Sequence, residues 1–465
     1  MRPEQSPTLP NRCCAAETAL VVAAGVLILL PWLFVSSPDY REVTLLVFGI
    51  TAACLVWRIP GLHAVVRGGL VRPVIACVIV AHAASLVGGL RHGDNPDMAV
   101  FRFITGTSGI LGVGALTCVL LRPRWRPWAW RTFIALTVLL VVGSLLGFLA
   151  FPRWLEDVSR HNPQMDPRRL SLIWATRFLS GELGSQFWAH ANTAAFLFAT
   201  AWVVLVDALF RRPKHAVAGW SLALLLALAV FLTASRGAWL MVLLALPFLL
   251  AFRTWRYALQ VGIVLASAGI LGTAAVSRQP VPAPGGPTAT PGVLPDTIHL
   301  GRLAARGSAG RLSAYQILWE GLEGHRLFGQ GLAVTREPVA HLLHEHSSYL
   351  ATLRGGGVTA LAAHLVLIGI AVRAAVLLAR DGCRWPLLLA ITVFSGLLFD
   401  RSTVFRLTGF DEFPVHWLAV WIPLAMRSHG QVRPGDPDFR IEDVSSGNGG
   451  NPVLTSELRR PDMES

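Results

Sequence analysis

The chain has 465 residues, 53% apolar and only 14% charged, with a mean hydropathy of +0.54. A soluble domain carries roughly a quarter charged residues. The composition therefore excludes a disordered chain, a secreted disulfide scaffold and an ordinary cytosolic enzyme. The formal net charge is +13, and of the 40 basic residues only Lys214 is a lysine. In a polytopic membrane protein such an excess points to topology signals, anionic lipid or an anionic substrate rather than to nucleic acid.

In chain order, uninterrupted apolar runs predict about twelve membrane spans, several near the ~20 residues that cross a bilayer. They fall near 18–36, 43–57, 74–90, 103–121, 132–151, 187–209, 217–234, 238–252, 257–276, 357–379, 385–399 and 413–426. The expected fold class is an all-α polytopic membrane protein. Helices rather than barrel strands follow from the run lengths and the lack of alternating ten-residue segments. The first span is not expected to be a cleaved signal peptide, because no small-residue cleavage site follows it and more spans do.

One set of short loops holds fifteen positive residues: Arg58, Arg67, Arg72; Arg122, Arg124, Arg126, Arg131; Arg211, Arg212, Lys214; Arg253, Arg256; Arg373, Arg380, Arg384. The other set holds Arg41, Arg91, Arg102, Arg401 and Arg406. By the positive-inside rule the first set is cytoplasmic and both termini are inside. Cys13, Cys14 and Cys383 then lie on the cytoplasmic side. Cys54, Cys77 and Cys118 lie within spans, so no disulfide is expected. The expected divisions are a cytoplasmic N-terminus (1–17), a transmembrane domain (18–426) with long outer loops at 152–186 and 277–356, and a polar, disordered cytoplasmic tail (427–465).

The two outer loops carry twelve arginines, including Arg169, Arg177, Arg311, Arg326 and Arg354. Long loops are exempt from the charge rule, so tolerance is one explanation; outer-face lipid or an anionic substrate is another. Within the second loop, 280–297 is rich in Pro and Gly and is extended or turn-like. The stretch SAGRLSAYQILWEGLEGHRLFGQG reads as a helix with Ser308 as N-cap. Its apolar face runs through Leu312, Tyr315, Ile317 (less well placed), Leu318, Trp319 and Leu322, and Gly324 is its stop. Arg311 falls in the first turn, where a bare helix dipole disfavours a cation. It either faces solvent or shares the site with an anion, since free N–H groups plus a guanidinium make a phosphate pocket.

Arg236, in TASRGAWL, sits between two spans joined by almost no loop. It is either a snorkelling anchor or a charge facing the bundle, where intramembrane charges line cavities or pair. His341, His344 and His346 precede SSYLATLRGGG. Their spacing fits no standard zinc motif, so no metal is expected. The alternatives are hydrogen-bonded interfacial histidines or a single neutral imidazole acting as general base. Asp400 and Arg401 form either a local ion pair or part of a pocket. His190 and Asn192 read as helix–helix hydrogen-bond partners.

SRGAWL (235–240), GRLSAYQILWEGLEGHRLFGQGL (310–332) and HEHSSYLATLRGGG (344–357), in that order, together resemble the bacterial O-antigen ligase family of the ligase/polymerase superfamily. The resemblance implies a GT-C-type architecture of about twelve spans, with a helical periplasmic loop between the ninth and tenth. It implies an inverting, metal-independent glycosyltransferase needing no cofactor. The donor would be a glycan on undecaprenyl diphosphate. The acceptor would be lipid A–core oligosaccharide at the periplasmic face of the inner membrane. Carried over residue by residue, Arg236 and Arg311 bind the diphosphate and His346 activates the acceptor hydroxyl. His344, Tyr349, Asp400, Arg401, Arg169, Arg177 and Asn192 are further substrate-contact candidates. The sequence departs from the family pattern at Ser347 (where Asn is usual), Tyr315 (where Trp is usual), Arg354 (where an acid is common) and His190. An O-antigen polymerase, a protein O-oligosaccharyltransferase and a transporter of an anionic lipid-linked substrate are the rival expectations.

Overall fold

The computed structural model describes residues 49–50, 69–93, 95–122, 125–150, 191–211, 216–233, 235–251, 255–277, 319–331, 347–398 and 415–428. The described residues are helical, with no strand among them. In chain order the main helices are α1 (Val71–His92), α2 (Pro96–Leu120), α3 (Arg126–Ala150), α4 (Ala191–Arg211) and α5 (Ala216–Leu232). They continue as α6 (Arg236–Leu250), α7 (Trp255–Ser277), α8 (Ser348–Arg380), α9 (Trp385–Gly396) and α10 (Val415–Ser428). Each lies over one of the apolar runs from 74–90 onward. The predicted spans at 18–36 and 43–57 lie outside the described residues, apart from 49–50.

Among the described residues, four helical stretches are long and apolar enough to cross a membrane: Val71–His92, Pro96–Leu120, Trp255–Ala274 and Ser348–Arg380. Shorter apolar stretches include Ala195–Phe210, Val217–Leu232, Gly237–Leu250 and Trp385–Gly396. The chain is thus a helical protein with the character of a membrane protein. Local chemistry sets several helix starts. The Asn95 side chain accepts from the Met98 amide at 3.0 Å, with Pro96 at the first helical position of α2. Hydroxyls inside the bundle are satisfied by their own helices, as when Thr117, Thr200, Thr352 and Thr392 each donate to the carbonyl four residues back.

The core is centred on α4, whose Phe198 and Trp202 are fully enclosed, with α5, α6 and α9 packed around it. A second seam joins α1 to α8, where Ala81 and Ala84 face Ala360 and Ala363. Small side chains let two backbones approach closely where lipid offers no hydrophobic drive between helices. Trp421 of α10 closes over Gly114 of α2 with no room for a methyl group there.

The start of α8 differs from expectation. The sequence places an outer loop up to 356 and a span from 357, whereas the helix begins at Ser348. A straight helix of 33 residues would be about 50 Å long, far beyond a ~30 Å hydrocarbon core. The helix resolves this by bending at Gly357, with φ 67° and ψ −166°. Its first limb is 348–356 and its second limb 358–380, the second being about 34 Å long. Tyr349 and His364 would lie about 22 Å apart along a straight helix. Across the bend their rings stack at 5.5 Å. The expected span start therefore coincides with the bend, and the end of the expected loop is a helix folded back against the bundle.

Candidate functional site

Three remote segments meet at the bend. The first is the C-terminal end of α1, with Gly88 and Gly89. The second is the hairpin 319–331, which ends the motif beginning at Gly310. The third is the bend itself, Arg354–Thr359. Backbone hydrogen bonds join the hairpin to the bend. The Gln330 amide donates to the Arg354 carbonyl at 2.8 Å, and the Gly331 amide to the Gly355 carbonyl at 3.1 Å. The Val358 and Thr359 amides donate to the Arg326 and Leu327 carbonyls at 2.8 and 3.2 Å. The new helix N-terminus created by the bend is thereby capped with carbonyls from the hairpin, which satisfies amides that the bend would otherwise leave unpaired.

Side chains reinforce the junction. The Arg354 Nε donates to Gln330 Oε1 at 3.0 Å, and Gln330 Nε2 donates to the Gly321 carbonyl at 3.1 Å. Leu322 is 1% exposed and packs with Leu353 of the first limb. The expected helix stop holds, since Gly324 has φ 82° and turns follow Trp319–Gly321. Trp319 itself is a correction to the expected apolar face. It is 49% exposed, with the Arg326 guanidinium 5.3 Å above its ring.

Only glycine fits this junction. Gly329, Gly331 and Gly357 all have positive φ. A Cβ on Gly357 would meet the Leu327 carbonyl, and one on Gly331 the backbone of Gly88 and Gly89. Here L-residues are excluded twice over, by the left-handed backbone and by the absence of space.

The same end of the bundle gathers the other predicted elements. The Ser348 amide donates to the Leu397 carbonyl at 2.9 Å, which ties the start of α8 to the end of α9. Tyr349 adds its hydroxyl, donating to the Phe394 carbonyl at 3.1 Å. Gly396 packs against Phe196 of α4 and Met241 of α6, leaving no room for a Cβ. Phe196 is one turn after Asn192, Met241 five residues after Arg236, Leu397 three before Asp400, and Ser347 directly follows His346. The starts of α4, α6 and α8 and the end of α9, the described elements nearest in sequence to Asn192, Arg236, His346 and Asp400, therefore converge at one end.

Of the predicted site residues, Tyr349 is described in full. Its ring stacks on His364 and its hydroxyl holds α9, so it acts here as a packing and positioning group. Arg236 is the first residue of α6, following Ser235 at the N-cap position, and Asn192 is in the first turn of α4. The side chains of these two lie outside the described part. Arg311, His344, His346, Asp400, Arg401, Arg169 and Arg177 lie outside the described residues, as do His190 and His341. Among the described residues no three His, Cys, Asp or Glu side chains come together as metal ligands, and Cys77, Cys118 and Cys383 form no disulfide.

Sequence reasoning missed Gln330, Gly88 and Gly89 as parts of the site. Their signal was visible as GQG within the second motif and a GG pair at the end of a span. Nothing local said that the two would touch. No protein-family model matches the chain, and no curated protein or solved structure matches it either.

Proposed function

We propose that this chain is an inverting glycosyltransferase of the O-antigen ligase type. On this reading it has about twelve spans in a GT-C-type arrangement, sits in a bacterial inner membrane with both termini cytoplasmic, and acts at the periplasmic face. It transfers a glycan from undecaprenyl diphosphate to lipid A–core oligosaccharide, with no metal and no cofactor.

One observation carries most of the support. The segment that follows Arg311 and the segment that follows His346 are hydrogen-bonded to each other through Gln330, Gly331, Arg354 and Gly355. A shared site for the two residues requires their flanking segments to be held together. The convergence of α4, α6, α8 and α9 at one end, next in sequence to Arg236 and Asp400, supports a shared site for these residues.

The chemistry follows from the residue types. As the glycosyl–oxygen bond breaks, negative charge grows on the departing diphosphate. Arg236 and Arg311 stabilise that charge as fixed cations, a role guanidinium fills through planar, bidentate hydrogen bonds. His346, as neutral imidazole, takes the proton from the acceptor hydroxyl while its oxygen attacks the anomeric carbon from the opposite face. A single displacement inverts the configuration.

The test is deletion followed by gel analysis of lipopolysaccharide. Loss of the O-antigen ladder with glycan accumulating on undecaprenyl diphosphate is expected. Single repeats still attached to core would instead identify a polymerase. Complementation with Arg236→Ala, Arg311→Ala or His346→Ala is expected to fail, and full activity of any one removes that residue from the mechanism. Turnover of the purified enzyme in EDTA is expected to persist.

A further inference from the structure

The last turn of α1 and the hairpin docked on it carry four basic groups in one neighbourhood. Arg91 and His92 are adjacent on α1, and His325 and Arg326 are adjacent on the hairpin. The His92 and His325 rings meet edge to face at 4.0 Å. Arg91 lies 5.5 Å over the Phe328 ring and Arg326 lies 5.3 Å over the Trp319 ring. Each guanidinium is thus steadied by an aromatic face, an arrangement that leaves its N–H edges available.

None of the four has a carboxylate partner among the described residues. Asp94, two residues after His92, lies outside the described residues; Asp97 on α2 and Glu323 on the hairpin are exposed and pair with none of them. Arg91, His92 and Arg326 are exposed as well, so a ligand can reach them. The positions are firm. The Gly88–Gly331 contact and the hairpin-to-bend hydrogen bonds fix the hairpin on α1, so the four groups do not depend on loop motion to come together.

Two guanidiniums beside two touching imidazoles, with no carboxylate partner among the described residues, present several N–H donors to an anion. Phosphate suits them, accepting charge-assisted hydrogen bonds from both residue types. The location says which phosphate. α1 has 22 residues, about 33 Å, so its end lies at headgroup depth when the helix spans a bilayer. We infer that Arg91, His92, His325 and Arg326 form a binding site for the phosphate of a membrane-lipid headgroup. The inference does not rest on glycosyl transfer.

The experiment uses the full chain purified in neutral detergent. Native mass spectrometry counts bound dimyristoyl phosphatidic acid, with dimyristoyl phosphatidylcholine as the phosphodiester control of zero net charge. Thermal unfolding is followed in parallel with each lipid and with inorganic phosphate. The wild-type chain is expected to retain one phosphatidic acid more than the Arg91→Ala/Arg326→Ala double variant. Affinity at that site is expected to fall at least about tenfold. If the alanine pair does not purify, Arg91→Gln/Arg326→Gln keeps the length and packing while removing the charge, and is expected to show the same loss. Equal occupancy in wild type and variant overturns the proposal. So does stabilisation by inorganic phosphate with none by phosphatidic acid, which would assign the site to a free anion. An unchanged ligase ladder in the double variant would not affect it, because the readout is lipid bound rather than glycan transferred.

Discussion

The two ends of the helical bundle are held by different means. At the end that holds the bend, backbone meets backbone: Gly88 and Gly89 against Gly331, Gly329 against Arg354–Gly357, and four hydrogen bonds between main-chain groups of the hairpin and the bend. At the opposite end, side chains reach across open ground. Arg427 of α10 pairs with Asp381 at the end of α8, and the Arg384 guanidinium donates to the Ala251 carbonyl at 3.5 Å. Gly382, in the turn there, has φ 93° but open space around its Cα. Backbone contacts hold a geometry to fractions of an ångström and tolerate no added atom. Long polar side chains at a surface hold elements together loosely and tolerate exchange. The rigid end is the one nearest in sequence to Arg236 and His346, and a site that positions reacting groups needs that rigidity.

The comparison can be broken by substitution. The largest effect is expected from Gly357→Ala, which combines a left-handed backbone with a collision against the Leu327 carbonyl. Thermal unfolding in detergent should show a loss of at least about 2 kcal/mol; a melting temperature equal to wild type would mean that the bend is not backbone-locked. Next comes Gln330→Ala, which removes the hydrogen bonds to Arg354 and to the Gly321 carbonyl. At about 1 kcal/mol each, the loss should approach ~2 kcal/mol, and proteolysis within 319–331 should accelerate. Gly382→Ala is the matched control for Gly357→Ala. It shares the positive φ but meets nothing, so only the intrinsic preference of about 1 kcal/mol should be lost. A cost equal to that of Gly357→Ala would dissolve the distinction between the ends. The smallest effect is expected from Asp381→Asn. Asp381 and Arg427 are 27% and 38% exposed, and exposed ion pairs contribute at most about 1 kcal/mol. A larger loss would show that this end is also tightly held.

Helix positions were legible because they depend on run length and flanking turn residues, both local properties. The expected spans near 74–90, 257–276 and 385–399 lie within a few residues of α1, α7 and α9. Gly324 as a stop was legible for the same reason. The folded-back limb 348–356 was not. SSYLATLRG is too short and too polar to read as a span, and it is helical because Ser348 and Tyr349 hold it against α9 while the hairpin caps the next limb. Trp319 misled for a related reason: helical spacing says which residues share a face, and the fold decides which face is covered. The same limit applies to Tyr349. Its place beside the histidine motif marked it for substrate contact, whereas its ring and hydroxyl are engaged with His364 and Phe394.

Apolar run length, the sign of charge in short loops and the order of three motifs are written along the chain. They are enough to assign an all-helical class and to nominate Arg236, Arg311 and His346. That Gly88, Gly331 and Gly355 touch, that Gln330 bridges to Arg354, and that His92 meets His325 are contacts between residues distant in sequence. They depend on how helices pack, and packing is decided by shape complementarity across the whole bundle. No window of sequence contains that information, because each partner's suitability exists only in the presence of the other.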